Sequence, residues 1–219
     1  MVTKDGQIIK IDAKTSFLDI REAFVFGEEV VGLVCFQFRT YDKNRPAGQK
    51  ITQKTDIYMD LEEFSYLCEI LASGKIHSLC QMAKQQNNFG AGYHNYGGNK
   101  KAQTSRQLKI ELGSDNSLWM KALEGPAKMG EKGQIIPAYK DNEATTKIAM
   151  KIDCETAMKI GLAGKRAIQV FDHWDADGVV KEKVSAFHKQ TAKSKADDSG
   201  FYPDYIPDYD HEDLPENRY

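Results

Sequence analysis

The sequence lacks the features of membrane-spanning and exported proteins. No uninterrupted apolar run approaches the roughly 20 residues that a transmembrane helix needs. The opening stretch, MVTKDGQIIK, contains no apolar core of the kind that a signal peptide carries. We therefore expect a cytoplasmic protein that has no membrane partner.

Cysteine is scarce, and its spacing is not that of a disulfide framework or a zinc site. The chain has four cysteines, and no two of them form a CxxC pair. Three of them lie in apolar segments, where a reduced thiol packs as a small hydrophobic group. His77 and Cys80 have a metal-like spacing, but no second pair accompanies them. The sequence thus predicts no metal site and no cofactor.

Common catalytic motifs are also missing, since the sequence contains no GxSxG and no HExxH. The stretch GPAKMGEK at 125–132 has the glycines of a phosphate-binding loop, but Glu131 stands where that loop requires lysine. We therefore predict a binding protein and not an enzyme. A nuclease subunit is the enzymatic alternative, although no carboxylate cluster identifies one.

Charge is divided unevenly along the chain. The net charge is −2, but residues 197–219 contain eight acidic residues and one base, so this segment carries −7 and residues 1–196 carry +5. A basic body attracts polyanions, whereas an acidic segment repels them. We therefore predict that the body binds nucleic acid and that the tail does not.

The acidic tail also contains three prolines, which together with its charge predict a disordered segment. A tail that only improved solubility would hardly need large apolar side chains. Apolar groups among carboxylates instead suit docking into a basic pocket, either on a partner or on the body's own DNA site. The predicted partner-binding residues of the tail are Phe201, Tyr202, Tyr205, Ile206, Tyr209 and Tyr219.

Hydropathy periods in residues 1–83 predict a β-sheet followed by a helix. Strands are expected at 16–26, 29–41 and 51–59, and Val34, Phe36 and Phe38 should share one face. The period then changes to that of an amphipathic helix, with Asp60 as its N-cap and Gly74 as its end.

The second half repeats this plan after a stretch rich in glycine, asparagine and glutamine. Residues 84–105 read as a linker or long loop, and residues 106–178 read as a second unit of strands followed by a helix that ends near Gly164. A basic helix is expected at 179–196. The repeated order predicts an α+β fold made by internal duplication. The alternative is an oligonucleotide-binding barrel with additions.

Basic and aromatic side chains recur on the polar faces of the predicted strands. Single-stranded nucleic acid requires this combination, because cations follow the phosphates and rings stack on exposed bases. An ordinary solvated sheet face is the alternative explanation. The predicted nucleic-acid-binding residues are Arg21, Arg39, Tyr41, Lys54, Tyr58, Lys100, Lys101, Arg106, Lys109, Trp119, Lys121, Tyr139 and Lys147.

Two family resemblances agree with this reading. The tail resembles the acidic C-terminal tails of bacterial and phage single-stranded DNA-binding proteins, although its PENRY terminus departs from the usual bacterial tip. FLDIREAF at 17–24 and IYMDLEEFSYLCEIL at 57–71 are similar to the positive cofactor four and Whirly group of single-strand binders. That resemblance implies DNA on the sheet, Arg21 facing it, and either a homo-oligomer or a duplicated chain.

The combined expectation is a protein that binds single-stranded DNA in replication, recombination, or plasmid or phage DNA transfer. Its tail is expected to recruit replication or recombination proteins. The alternative is a protein–protein adaptor that binds no nucleic acid.

Overall fold

The computed structural model describes residues 6–26, 29–86, 91–131 and 133–174. The predicted basic helix at 179–196 and the acidic tail at 197–219, with its six docking residues, lie outside the described residues. None of the described helices is long and apolar enough to cross a membrane.

The described strands form two antiparallel sheets, which with the helices confirm an α+β fold. Sheet A has the order β1-β2-β3-β4, and sheet B has the order β5-β6-β7-β9, with β8 paired to the far end of β7. The strands are β1 Gln7–Asp12, β2 Ser16–Phe26, β3 Glu29–Tyr41, β4 Ile51–Asp60, β5 Ala91–Asn99, β6 Thr104–Leu112, β7 Leu118–Met129, β8 Ile135–Pro137 and β9 Thr146–Ile152.

A helix follows directly on the last strand of each sheet. Helix α1 (Leu61–Ala72) begins after Asp60, whose carboxylate accepts a hydrogen bond from the Glu63 amide at 2.7 Å. Helix α3 (Cys154–Trp174) begins after Asp153, whose carboxylate accepts one from the Thr156 amide at 2.6 Å. A side chain of this kind satisfies one of the amides that a helix start leaves without an intrahelical partner. Helix α2 (Lys75–Gln85) follows α1. Among the described residues, no corresponding helix follows α3.

Both sheets and all three helices contribute to one buried hydrophobic cluster. Val34, Phe36 and Phe38 are fully buried in it, which confirms the predicted alternation along β3. Leu108, Ile110 and Leu112 of β6 supply the corresponding face of sheet B. Each sheet therefore has an inner face toward the core and an outer face, which carries the intervening side chains.

The prediction of a linker at 84–105 is wrong for most of that range. Residues 91–99 form β5, and α2 extends to Gln85. Tyr93 is buried, and its hydroxyl donates a 2.7 Å hydrogen bond to the Glu63 carboxylate. A Cβ atom on Gly92 would overlap the backbone nitrogen of Cys80. The glycine thus permits close packing of β5 on α2. The glycine content of this segment is what led to the prediction of a flexible linker.

Two further boundaries differ from the sequence expectation. Helix α3 continues past Gly164 to Trp174, because Gly161 and Gly164 form a close contact with α1 in place of ending the helix. Strand β8 is confined to Ile135–Pro137, so Tyr139, which the sequence predicts on the polar face of a strand, lies in the connection that follows β8.

Candidate nucleic-acid interface

The outer face of sheet A carries a pair of aromatic rings at one end. The rings of Phe17 on β2 and Tyr41 on β3 are 6.3 Å apart between centroids and are tilted by 39°. The Tyr41 hydroxyl donates a 2.8 Å hydrogen bond to the Ala13 carbonyl, which orients its ring. We call Phe17 and Tyr41 the ring pair. Both side chains are half-buried, so part of each ring remains accessible.

Lysines of β1, of the connection after β3 and of β4 lie around the ring pair. The Lys10 ammonium lies 4.8 Å from the Phe17 ring centroid, and the Lys43 ammonium lies 5.9 Å from that of Tyr41. Lys54 is exposed on β4, in a register row that runs from Phe17 through Arg39. Rings and cations therefore share one end of the outer face.

Arg39 lies in that row but is committed to the sheet. Its guanidinium is 2.6 Å from the Asp56 carboxylate, and it donates hydrogen bonds to the carbonyls of Phe38 and Thr55. Only 12% of its side chain is exposed. Through these contacts, Arg39 mainly stabilises the pairing of β3 with β4.

The middle of the sheet A outer face combines one buried side chain with two partly exposed ones. Arg21, Cys35 and Tyr58 are neighbours in one register row, and Arg21 forms a 3.7 Å ion pair with Asp19. Burial, with a smaller contribution from the nearby Asp56 carboxylate, raises the pKa of the Cys35 thiol to about 12. Burial is also the main cause of the raised pKa of Tyr58. The Cys35 thiol is therefore inaccessible, whereas Arg21 and Tyr58 are partly exposed, as are the two members of the ring pair.

On the outer face of sheet B, two of the three predicted cations form ion pairs within the protein, and the third, Lys147, is exposed on β9. Lys109 is buried and pairs with Asp141, while Lys121 pairs with Glu111. Trp119, next to this pair along β7, is half-buried. Lys109 and Lys121 thus form ion pairs with carboxylates of the protein. The side chain of Lys54, in contrast, is exposed to solvent.

A polar cluster surrounds Tyr139 at the other end of the sheet B outer face. A Cβ atom on Gly125 would lie 2.7 Å from the Tyr139 ring, and the Tyr139 hydroxyl donates a 3.2 Å hydrogen bond to the Ser105 carbonyl. Burial raises the pKa of Tyr139. His94 and Gln107 are hydrogen-bonded at 2.9 Å, and partial burial lowers the pKa of His94.

The remaining predicted residues are dispersed. Arg106 lies on the inner side of sheet B, in line with Leu108, and forms a 2.8 Å ion pair with Glu124. Lys147 is exposed on β9, and Lys100 and Lys101 are exposed in the turn between β5 and β6. The structure therefore places one group on the outer face of sheet A and another on the outer face of sheet B: Arg21, Arg39, Tyr41, Lys54 and Tyr58 on the first, and Lys109, Trp119, Lys121, Tyr139 and Lys147 on the second.

Sequence reasoning missed Phe17, Lys10 and Lys43 as members of the sheet A group. Phe17 had a readable signal, because the buried Leu18 and Ile20 place it on the outer face by alternation. The two lysines lie close to the rings because of how their side chains are placed in the folded protein. The hydrophobic periodicity of the sequence gives no indication of such contacts.

Throughout the described ranges, no three His, Cys, Asp or Glu side chains are grouped so that they could hold a metal ion. No protein-family model matches the chain, and no curated protein sequence matches it.

Proposed function

We propose that the protein binds single-stranded DNA on the outer face of sheet A. The observation that carries this proposal is the ring pair, flanked by Lys10, Lys43 and Lys54 at one end of an antiparallel sheet. The physiological setting we propose is replication, recombination, or plasmid or phage DNA transfer, in which the acidic tail recruits partner proteins.

The arrangement of rings favours single strands over duplex. A ring contributes by stacking on the flat face of a base, and that face is accessible only when the base is unpaired. Sequence reading of duplex DNA commonly places a helix or a β-ribbon in the major groove. The ring pair instead lies on the strands of a broad sheet, where an extended single strand could follow the surface.

The connection between β3 and β4 adds positive charge beside the ring pair. Residues 42–50 contain three basic residues and one acidic residue, which is Asp42. Asp42 forms a 3.7 Å ion pair with Arg45, and both side chains are about half exposed. The excess of cations on this loop suits a polyanion that extends beyond the rings.

We also propose that the two sheets and their following helices arose by internal duplication. Val34 of β3 pairs with Met59, one residue before the N-cap Asp60. Leu118 of β7 pairs with Ile152, one residue before the N-cap Asp153. The same register of strand pairing thus leads into a capped helix in each unit.

The contact between α1 and α3 supports the duplication independently. Counted from the two N-caps, Cys68 occupies the position in α1 that Gly161 occupies in α3, and Leu71 corresponds to Gly164. Gly161 contacts Leu71, and Gly164 contacts Cys68, so the two contacts are exchanged by a two-fold relation. An experimental structure whose units fail to superpose in this register would contradict the duplication. An oligonucleotide-binding barrel with additions is the fold that this outcome would favour.

Fluorescence anisotropy with labelled oligonucleotides tests the binding function. The full chain is titrated into single-stranded DNA, duplex DNA and RNA of equal length at two salt concentrations. We expect tighter binding to single-stranded DNA than to duplex, and weaker binding as salt rises. Equal affinity for single strand and duplex, or no binding, would refute the proposal, and salt-insensitive association with another protein would favour the adaptor alternative.

Ring substitutions test the site itself. Phe17→Ala and Tyr41→Ala should each weaken binding by about 5- to 150-fold, since stacking contributes about 1–3 kcal/mol per base. Tyr41→Phe retains the ring and should bind nearly as well as the wild type. The matched control is Tyr66→Ala, which removes a ring that is 59% exposed on α1. An equal loss in the Tyr66 variant would mean that the ring pair has no special role.

A further inference from the structure

The two outer faces differ in what covers them. Counting from Val34 in β3 and Leu118 in β7, the position held by Tyr41 in sheet A is held by Gly125 in sheet B. The Tyr139 ring, which comes from the connection between β8 and β9, lies directly on Gly125. Sheet B therefore has an aromatic ring near the corresponding place, but a different segment of the chain supplies it.

The segment that supplies Tyr139 also supplies a carboxylate. We define the strap as residues 138–145, between β8 and β9. Its Asp141 pairs with Lys109, which is buried on the outer face of sheet B. The β8 strand before the strap lies against β5 and β6. A ring on the sheet and an anion on a lysine are the two contacts that a nucleotide would make.

The surface next to the strap has further groups suited to a nucleic-acid strand. Tyr96 is 47% exposed, and its ring lies 5.6 Å from that of His94. The Ser105 hydroxyl is buried, and in the part of the chain that the structure describes it has no hydrogen-bond partner. Such a group gains a hydrogen bond if a ligand replaces the strap.

We propose that the outer face of sheet B is a second single-strand binding site, which the strap occupies in the free protein. This inference rests on the proposed function, because it assigns the same class of ligand to a second face. The Tyr139 ring stands in for a base, and the Asp141 carboxylate stands in for a phosphate. A strand that displaces the strap gains Lys109 as a phosphate contact and Gln107 and Ser105 as polar contacts.

The test weakens the strap and observes sheet B directly. The chain has two tryptophans, Trp119 and Trp174. A Trp174→Phe background leaves Trp119, on the outer face of sheet B, as the reporter for this face. Asp141→Asn removes the charge that holds the strap, and the matched control Glu143→Gln removes one negative charge from the same strap without touching Lys109. Each protein is titrated with oligo(dT), and both Trp119 fluorescence and the anisotropy of a labelled oligo(dT) are recorded.

We expect Asp141→Asn to increase the change in Trp119 fluorescence on binding and to increase the number of nucleotides covered per chain. The slope of log K against log salt should steepen by about 0.7, the value for one added phosphate contact on a single strand. The control should leave the slope and the Trp119 response close to those of the background protein. Equal responses in the two variants, or weaker binding by Asp141→Asn, would overturn the inference.

If thermal denaturation shows that Asp141→Asn is unfolded, a second variant is used in its place. Residues 139–144 are replaced by a glycine–serine segment of equal length, which should produce the same Trp119 response as the single substitution. If the Phe17 variant loses affinity while both strap variants match the control, the second site is refuted and the first stands. If the strap variants respond while Phe17→Ala has no effect, the site on sheet A is refuted and the second stands. No binding by any variant refutes both.

Discussion

At the scale of single residues, the identity of a contacted atom decides whether a glycine can be replaced. A Cβ atom on Gly161 would overlap the backbone nitrogen of Ala72 and the carbonyl oxygen of Cys68. Backbone atoms inside a helix cannot rotate away as a flexible side chain can. The close approach of α1 and α3 therefore depends on the missing side chain at this position.

We predict that Gly161→Ala destabilises the protein by about 1–3 kcal/mol, the usual range for overpacking a filled interface. The higher helix propensity of alanine opposes this loss by about 1 kcal/mol. Urea denaturation monitored by circular dichroism measures the change. Gly97→Ala is the control, because a Cβ atom there has open space. A Gly161→Ala protein as stable as the wild type would show that the helices separate at little cost.

At the scale of elements, each sheet leads into a helix through an aspartate. The Asp60 carboxylate accepts from the Glu63 amide, and Glu62 and Glu63 place negative charge in the first turn of α1. Negative charge near a helix N-terminus is favourable because the amide dipoles point their positive ends there. For the equivalent Asp153, the hydrogen bonds from Thr156 hold the carboxyl pKa below its usual range.

We predict that Asp60→Ala lowers the free energy of unfolding by about 1 kcal/mol, the typical value of an N-cap. Asp60→Asn retains an acceptor for the Glu63 amide and should lose less. Equilibrium denaturation of the two variants in parallel provides the comparison. If the alanine and asparagine variants were equally destabilised, charge and not the capping hydrogen bond would account for the effect of Asp60.

At the scale of the whole molecule, the charge division sets how the tail affects binding. The tail carries −7 and the rest of the chain carries +5, so the tail repels a polyanion and the rest of the chain attracts it. Long-range repulsion of this kind is screened over roughly 8–10 Å at physiological salt. Its effect should therefore be strongest at low ionic strength.

We predict that deletion of residues 197–219 leaves the affinity for single-stranded DNA unchanged or raises it, with the larger gain at low salt. Anisotropy titrations of the full and shortened chains at two salt concentrations measure this. A chain whose eight tail acids are replaced by asparagine and glutamine separates charge from length and should behave like the deletion. A large loss of affinity on deletion would contradict the account of the tail.

Local features of the sequence were sufficient for most elements of the fold. The alternation of Val34, Phe36 and Phe38 predicts the inner face of β3, because strand period depends only on neighbouring residues. The same holds for the cap at Asp60. The charge division is likewise contained in the order of the residues and needs no fold.

Tertiary structure decided the features that depend on residues far apart in the chain. Whether a lysine is exposed or paired depends on a carboxylate from another element, as Lys109 with Asp141 and Arg39 with Asp56 demonstrate. The glycine-rich residues of β5 form a strand because α2 packs against them, which their composition alone does not indicate. The sequence by itself thus determined the periodic faces, the helix starts and the charged tail, since each is set by near neighbours. Packing between distant segments determined which rings and cations remain accessible on those faces.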